Sequence, residues 1–182
     1  HNTIICENQI GGTAANMHFR NNLFLGRDLP GRGIMNVVNS HSINSSDFNG
    51  YRPNKGVTAQ YVWIAPPPGE INYQPKREDW KTFATLADLK AGTGQEAHSI
   101  EVDYNVFEHL SPPDHTNPYA VYHAMDLNFR LRPDVPAIDA GEVIPTINDD
   151  FVGKGPDLGA HEFGAPEMKY GPRWLTCQPF YR

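Results

Sequence analysis

Cysteine is scarce: Cys6 and Cys177 are the only two in 182 residues. Two thiols build neither a disulfide framework nor a four-cysteine zinc site. Long apolar runs are missing as well, and none approaches the ~20 residues that span a bilayer. Lys and Arg total 15 against 21 Asp and Glu, a net charge of −6. With no basic stripe, nucleic acid is not expected as a main partner. Apolar residues make up 39%, enough for a lean core. Turn chemistry is abundant instead, with 16 Gly and 16 Pro, which argues against a helical bundle or coiled coil. An aromatic content of 11% separates the chain from disordered compositions.

A weak repeat organises the chain around Asn. Its copies are Asn2-Thr3-Ile4, Asn22-Leu23-Phe24, Asn49-Gly50-Tyr51, Asn105-Val106-Phe107 and Asn128-Phe129-Arg130, at spacings of 20, 27, 56 and 23 residues. Aligned on that Asn, apolar and polar columns alternate, as they do in strands with one buried face. Phe24, Tyr51 and Phe107 share a column and are expected to stack inside. His18, Arg20, Asp47, Glu101, Asp103 and Asp126 fall in polar columns and are expected to point out. Strands recurring every 20–30 residues predict a parallel solenoid, with the Asn residues stacked as a hydrogen-bonded corner ladder. A sandwich with Asn-rich hairpins is the alternative. Thr85 and Asp88 form a capping pair ahead of Leu86 and Leu89, and Gly94 suits a C-terminal cap. Together they predict a short helix over 85–93.

Several segments resemble right-handed parallel β-helix proteins of the pectate-lyase-like and chondroitinase-B-like superfamily. They are Ser46 to Asn54, Thr85 to Ile100, Pro136 to Gly141 and Pro156 to Glu162, in the order met near the C-terminus of such proteins. The resemblance implies an all-β right-handed parallel β-helix over residues 1–163, with one short helix. Residues 164–182 would then form a capping tail over the open end, carrying Trp174, Phe180 and Tyr181. The chain opens on His1-Asn2-Thr3-Ile4-Ile5-Cys6, which reads as mid-strand, with neither initiator Met nor signal peptide. Preceding N-terminal coils are therefore expected as a partner of this portion. Cys6, in the strand pattern, reads as a buried thiol, with pairing to Cys177 as the alternative.

The resemblance further implies a carbohydrate-active, exported protein: secreted, periplasmic or at the cell surface. Its partner would be a polysaccharide or oligosaccharide. The leading expectation is a lyase that cleaves an acidic, uronate-containing polysaccharide by β-elimination. That chemistry needs a cation on the uronate carboxylate, a base for the C5 proton and an acid for the leaving oxygen. His18, Arg20 and Asp47 are the candidate catalytic residues, and His41, Arg52 and Lys55 the candidate substrate contacts on the rim. Arg20 and Asp47 would be neighbours, ~4.8 Å apart from coil to coil, as an ion pair or a site pair. Carboxylates stacked on adjacent coils offer one route to a Ca²⁺ site, ordinary solvated ion pairs being the other. A glycoside hydrolase using Asp47 and Asp103 and a non-catalytic carbohydrate-binding or surface β-helix are the alternatives. Trp63, Trp80 and Tyr73 suit either sugar stacking or the core. Asp139 and Asp157, beside Gly141 and Gly159, read as turn formers.

Overall fold

The computed structural model describes residues 1–5, 13–40, 43–66, 76, 79–117, 119–123 and 126–166. Strands are short because Gly, Pro and Asn interrupt the apolar alternation every few residues. Among the described residues they are β1 (Thr3–Ile5), β2 (Thr13–Ala14), β3 (His18–Arg20), β4 (Leu23–Leu25), β5 (Met35–Asn39), β6 (Ser45–Asp47), β7 (Gly50–Arg52), β8 (Tyr61–Ile64), β9 (Thr82–Phe83), β10 (Ile100–Glu101), β11 (Phe107–His109) and β12 (Asn128–Leu131). Helix α1 covers Leu86–Thr93.

Four small sheets result. One has the order β1-β4-β7-β10, all parallel, with Ile4 beside Phe24, Phe24 beside Tyr51 and Tyr51 beside Glu101. A second runs β2-β5-β8-β9, in which β8 and β9 are antiparallel. The pair β3-β6 is parallel, with Arg20 opposite Asp47. The pair β11-β12 is antiparallel and irregular in register.

These mixed orientations correct the expectation of an all-β right-handed parallel β-helix through residue 163. The regular parallel repeat stops at two-residue β10, and antiparallel pairs and a helix complete the structure. After β11 the one remaining strand among the described residues is β12; residues 132–166 are turns and irregular chain. There, side-chain carboxylates take the place of a strand ladder. Asp139 accepts from the backbone N–H of Lys154 (2.7 Å), Asp157 from that of Asp139 (2.7 Å), and Glu162 from that of Asp157 (3.1 Å). Backbone donors satisfied in this way need no neighbouring strand. Of the expected tail, residues 167–182 lie outside the described residues, as do Cys6, Cys177 and Tyr73.

All three side chains of β4 are buried, so this strand is covered on both faces. Phe24 joins Tyr51, Tyr61, Trp63, Leu86 and Leu89 in one apolar cluster. Leu23 and Leu25 join Tyr104, Val106, Phe107, Leu131 and Leu158 in another. Burying one such side chain stabilises the fold by about 1.5–3 kcal/mol. Phe24 and Tyr51 stack at 5.3 Å between centroids, as the column alignment predicts. Phe107 does not continue that stack; it lies in the second cluster, edge-on to Phe129 at 6.0 Å. Helix α1 has the expected caps: Thr85 accepts from the Asp88 N–H, and Gly94 is left-handed. Its Gly92 lies against the Phe83 ring, where a Cβ would come within 2.3 Å.

The Asn residues at the strand entrances join neighbouring strands. Asn2 donates to the Asn22 side-chain oxygen (3.0 Å), and Asn22 donates to that of Asn49 (2.9 Å). The Asn49 oxygen also accepts the buried backbone N–H of Asn22 (3.0 Å). The fourth step is Ser99, whose hydroxyl accepts the Asn49 backbone N–H at 2.8 Å. Asn105 has no place in this ladder, because Ile100 pairs with Gly50 where the Asn spacing predicts Val106.

Candidate active site

The parallel pair β3-β6 turns one row of polar side chains outward. His18 lies opposite Ser45 and Arg20 opposite Asp47, while Phe19, between them, packs against the core. The two-residue alternation of a strand therefore puts His18, Arg20, Ser45 and Asp47 on one face.

Arg20 and Asp47 are register neighbours, but their charged groups take other partners. The Arg20 guanidinium donates through Nε to Glu142 (2.7 Å), through Nη1 to the Phe19 carbonyl (2.9 Å) and through Nη2 to Ser45 Oγ (2.9 Å). Three of its five N–H groups are thus engaged. Glu142 reaches this point from a distant loop held on Asn21. The Asn21 amide donates to the Glu142 carbonyl and accepts from its N–H, both at 2.8 Å. His18 Nδ1 lies 2.8 Å from the same Ser45 Oγ, with its ring toward solvent.

Asp47 is bound to His98, a residue that the strand pattern does not single out. One carboxylate oxygen accepts the His98 backbone N–H (2.7 Å) and the Phe48 N–H (2.9 Å). The other lies 2.8 Å from His98 Nδ1. Partial burial pushes the Asp47 carboxyl up, but these hydrogen bonds outweigh it and hold the group below the usual carboxylate range. An ionised carboxylate only accepts, so Nδ1 of His98 carries the proton. With Nδ1 carrying a proton toward Asp47, Nε2 is the ring nitrogen through which His98 can accept one. The side chain is 63% exposed, which leaves that nitrogen open to a ligand. The Phe48 ring stacks on the imidazole at 4.5 Å and 14°.

The remaining expected residues are not gathered here. Arg52 is buried, with four of its five N–H groups engaged: it makes a bidentate pair with Asp28 (Nη2 to Oδ2, 2.8 Å) and donates to the Gly26 carbonyl (2.8 Å) and to Asp103 (3.3 Å). It also lies over the Tyr104 ring at 5.5 Å. Burial opposes its charge, yet Asp28 and Asp103 outweigh that and raise the guanidinium further; Asp28 is in turn lowered. Arg52 is thus a structural clamp between β7 and the 26–28 segment. Lys55 is exposed beside it, with its backbone N–H on Asp28 (2.8 Å). His41 lies outside the described residues. Asp103 is taken up by Arg52 and by the Tyr104 N–H (2.7 Å). Trp63 is core, whereas Trp80 is exposed. Among the described residues no group of three or more His, Cys, Asp or Glu is arranged to hold a metal ion, so the stacked carboxylates do not assemble the Ca²⁺ cluster that the columns suggested.

His98 lies within the Thr85 to Ile100 segment, and Glu142 lies next to Gly141. Glu142 reaches Arg20 across 122 residues, a contact that no periodicity encodes.

No known protein family, curated protein or solved structure matches this chain. None of these comparisons supports the resemblance to pectate-lyase-like proteins. No helix among the described residues is long and apolar enough to cross a membrane.

Proposed function

We propose that the β3-β6 face acts on an acidic, uronate-containing polysaccharide and cleaves it by β-elimination. The observation that carries this reading is His98: an exposed imidazole whose Nδ1 is held by an ionised Asp47, which leaves Nε2 as a base. Arg20, on the strand beside Asp47, is the cation for the uronate carboxylate, through the N–H groups not engaged by Glu142, Phe19 and Ser45. Neutralising that carboxylate acidifies the C5–H. His98 Nε2 takes the C5 proton, the C5 electron pair forms the C4–C5 double bond, and the C4–O bond breaks. His18, at the other end of the row, gives the leaving oxygen its proton. Asp47 then acts by positioning His98 rather than by touching substrate.

This assignment favours a lyase over a glycosidase. A glycosidase needs two carboxyl groups facing the scissile bond, and Asp47 and Asp103 are both engaged by local partners. The reading carries with it an exported protein that meets such polymers outside the cytoplasm. Incubation with a panel of uronate polysaccharides tests it. Ultraviolet absorbance from unsaturated uronate ends is the expected product signal. New reducing ends without that absorbance would make the protein a hydrolase, and retention on a polymer without products would make it a binding protein; either result overturns the reading.

A further inference from the structure

Phe48 has an uncommon backbone for its type: φ is +53°, in the left-handed region that bulky side chains avoid. The fold requires this conformation at the corner. Asn21, in the equivalent place after β3, has φ +59°, and Asn takes that region at little penalty. An aromatic ring there is not explained by the core, because Phe48 belongs to neither apolar cluster. Among the described residues its one aromatic contact is the stacked imidazole of His98. Its backbone N–H, meanwhile, donates to the same Asp47 oxygen that receives the His98 N–H. Asp47 fixes one edge of the imidazole and Phe48 fixes its plane. A half-buried residue held in a disfavoured conformation, outside both apolar clusters, points to the group it stacks on.

We infer that Phe48 is a positioning residue that sets the plane of the His98 ring over the β3-β6 face, so that Nε2 projects to the substrate side. The inference rests on the reading of His98 as the base. It adds a constraint on the substrate: the stacked pair forms a flat wall, which suits the face of a pyranose ring beside Arg20.

Replacement by Asn tests this, because Phe48→Asn keeps a residue suited to the left-handed corner; Phe48→Gly is the second variant should the first not fold. Nitrogen NMR of the histidine rings reads the tautomer, and product release reads function. Both variants should melt at or above the wild-type temperature. Their His98 signal should move from a fixed Nδ1–H form toward averaged tautomers. The kcat on a uronate polysaccharide should fall on the order of 10- to 100-fold, with KM little changed. Phe48→Tyr, which keeps a ring, should restore both readouts. A variant with the His98 tautomer and turnover unchanged overturns the inference, and so does a drop in melting temperature with His98 unaffected, which would mark Phe48 as a packing residue. If the wild-type protein releases no product from any uronate polymer, the lyase reading fails, while the NMR comparison still decides whether Phe48 orients His98.

Discussion

Replacing Asn49 by Ala removes the centre of the ladder that joins β4, β7 and the β10 entrance. The Asn49 side-chain oxygen is the acceptor for the buried Asn22 backbone N–H and for the Asn22 amide, and the Asn49 amide donates to the Asp47 carbonyl (3.0 Å) and the buried Glu96 carboxylate (3.2 Å). Left without that acceptor, the buried Asn22 N–H bears a desolvation penalty of about 1–3 kcal/mol. The lost amide bonds and the small cavity bring the total to about 3–5 kcal/mol. For a chain of this size that lowers the melting temperature by roughly 6–20 °C. Chemical denaturation of wild type, Asn49→Ala and Asn2→Ala measures it. Asn2 is exposed and makes one ladder bond, so its variant should lose about 1 kcal/mol or less. An Asn49→Ala protein within ~0.5 kcal/mol of wild type would show that the ladder is incidental to the fold.

Other expectations concern the clamp and the C-terminal turns. Arg52→Met strips the partner from Asp28 and should destabilise by about 3–5 kcal/mol, whereas Lys55→Ala should stay within about 0.5 kcal/mol; thermal melts of both decide whether Arg52 is structural. Burial pushes the Asp157 carboxyl up from 3.8 to about 6, against the backbone N–H groups of Phe163 and Asp139. The folded state therefore holds this proton more tightly than the unfolded chain does. Its contribution to stability is complete below the unfolded value of 3.8 and is lost as the pH rises to about 6. Denaturation as a function of pH should show that fall, and Asp157→Asn should flatten it. Thr85→Ala should weaken α1 by about 1 kcal/mol through loss of its N-cap, read by hydrogen exchange along the helix.

The parts of the fold legible in the sequence were those fixed by local chemistry. The 27-residue spacing of Asn22 and Asn49 is enough to set Arg20 opposite Asp47 and Phe24 opposite Tyr51. The capping pair at Thr85 and the Gly at 94 delimit α1. The repeat then misleads at its fourth copy, because a Ser hydroxyl accepts the Asn49 N–H as well as another Asn would. A search for Asn passes over Ser99, moves Phe107 into the wrong column and extends a regular parallel architecture past the point where it ends. The outward row was legible for His18, Arg20 and Asp47 because strand alternation dictates it. Their partners were not: Ser45 carries no charge to mark it, His98 sits between α1 and β10, and Glu142 arrives from a loop. Arg52 shows the opposite error. Its residue type suits an anionic sugar, but its position in β7 buries it against Asp28, a pairing that depends on the 26–28 segment folding back. The fully buried Glu96, which accepts from Tyr51 Oη (2.8 Å) and from Ser99 Oγ, was equally hidden, since nothing local marks an acidic residue for the interior.

The role of His98 as the base is tested most directly by His98→Ala against wild type on the uronate polymer that gives the strongest signal, with melting temperature measured on both. The side chain is exposed and belongs to neither apolar cluster, and the backbone N–H groups of Phe48 and His98 still hold Asp47, so the protein should fold with at most a small drop in melting temperature. The account predicts that release of unsaturated ends falls by about 100-fold or more, the contribution of a positioned general base. A His98→Ala protein that keeps wild-type turnover would contradict it and move the proton-abstracting group elsewhere.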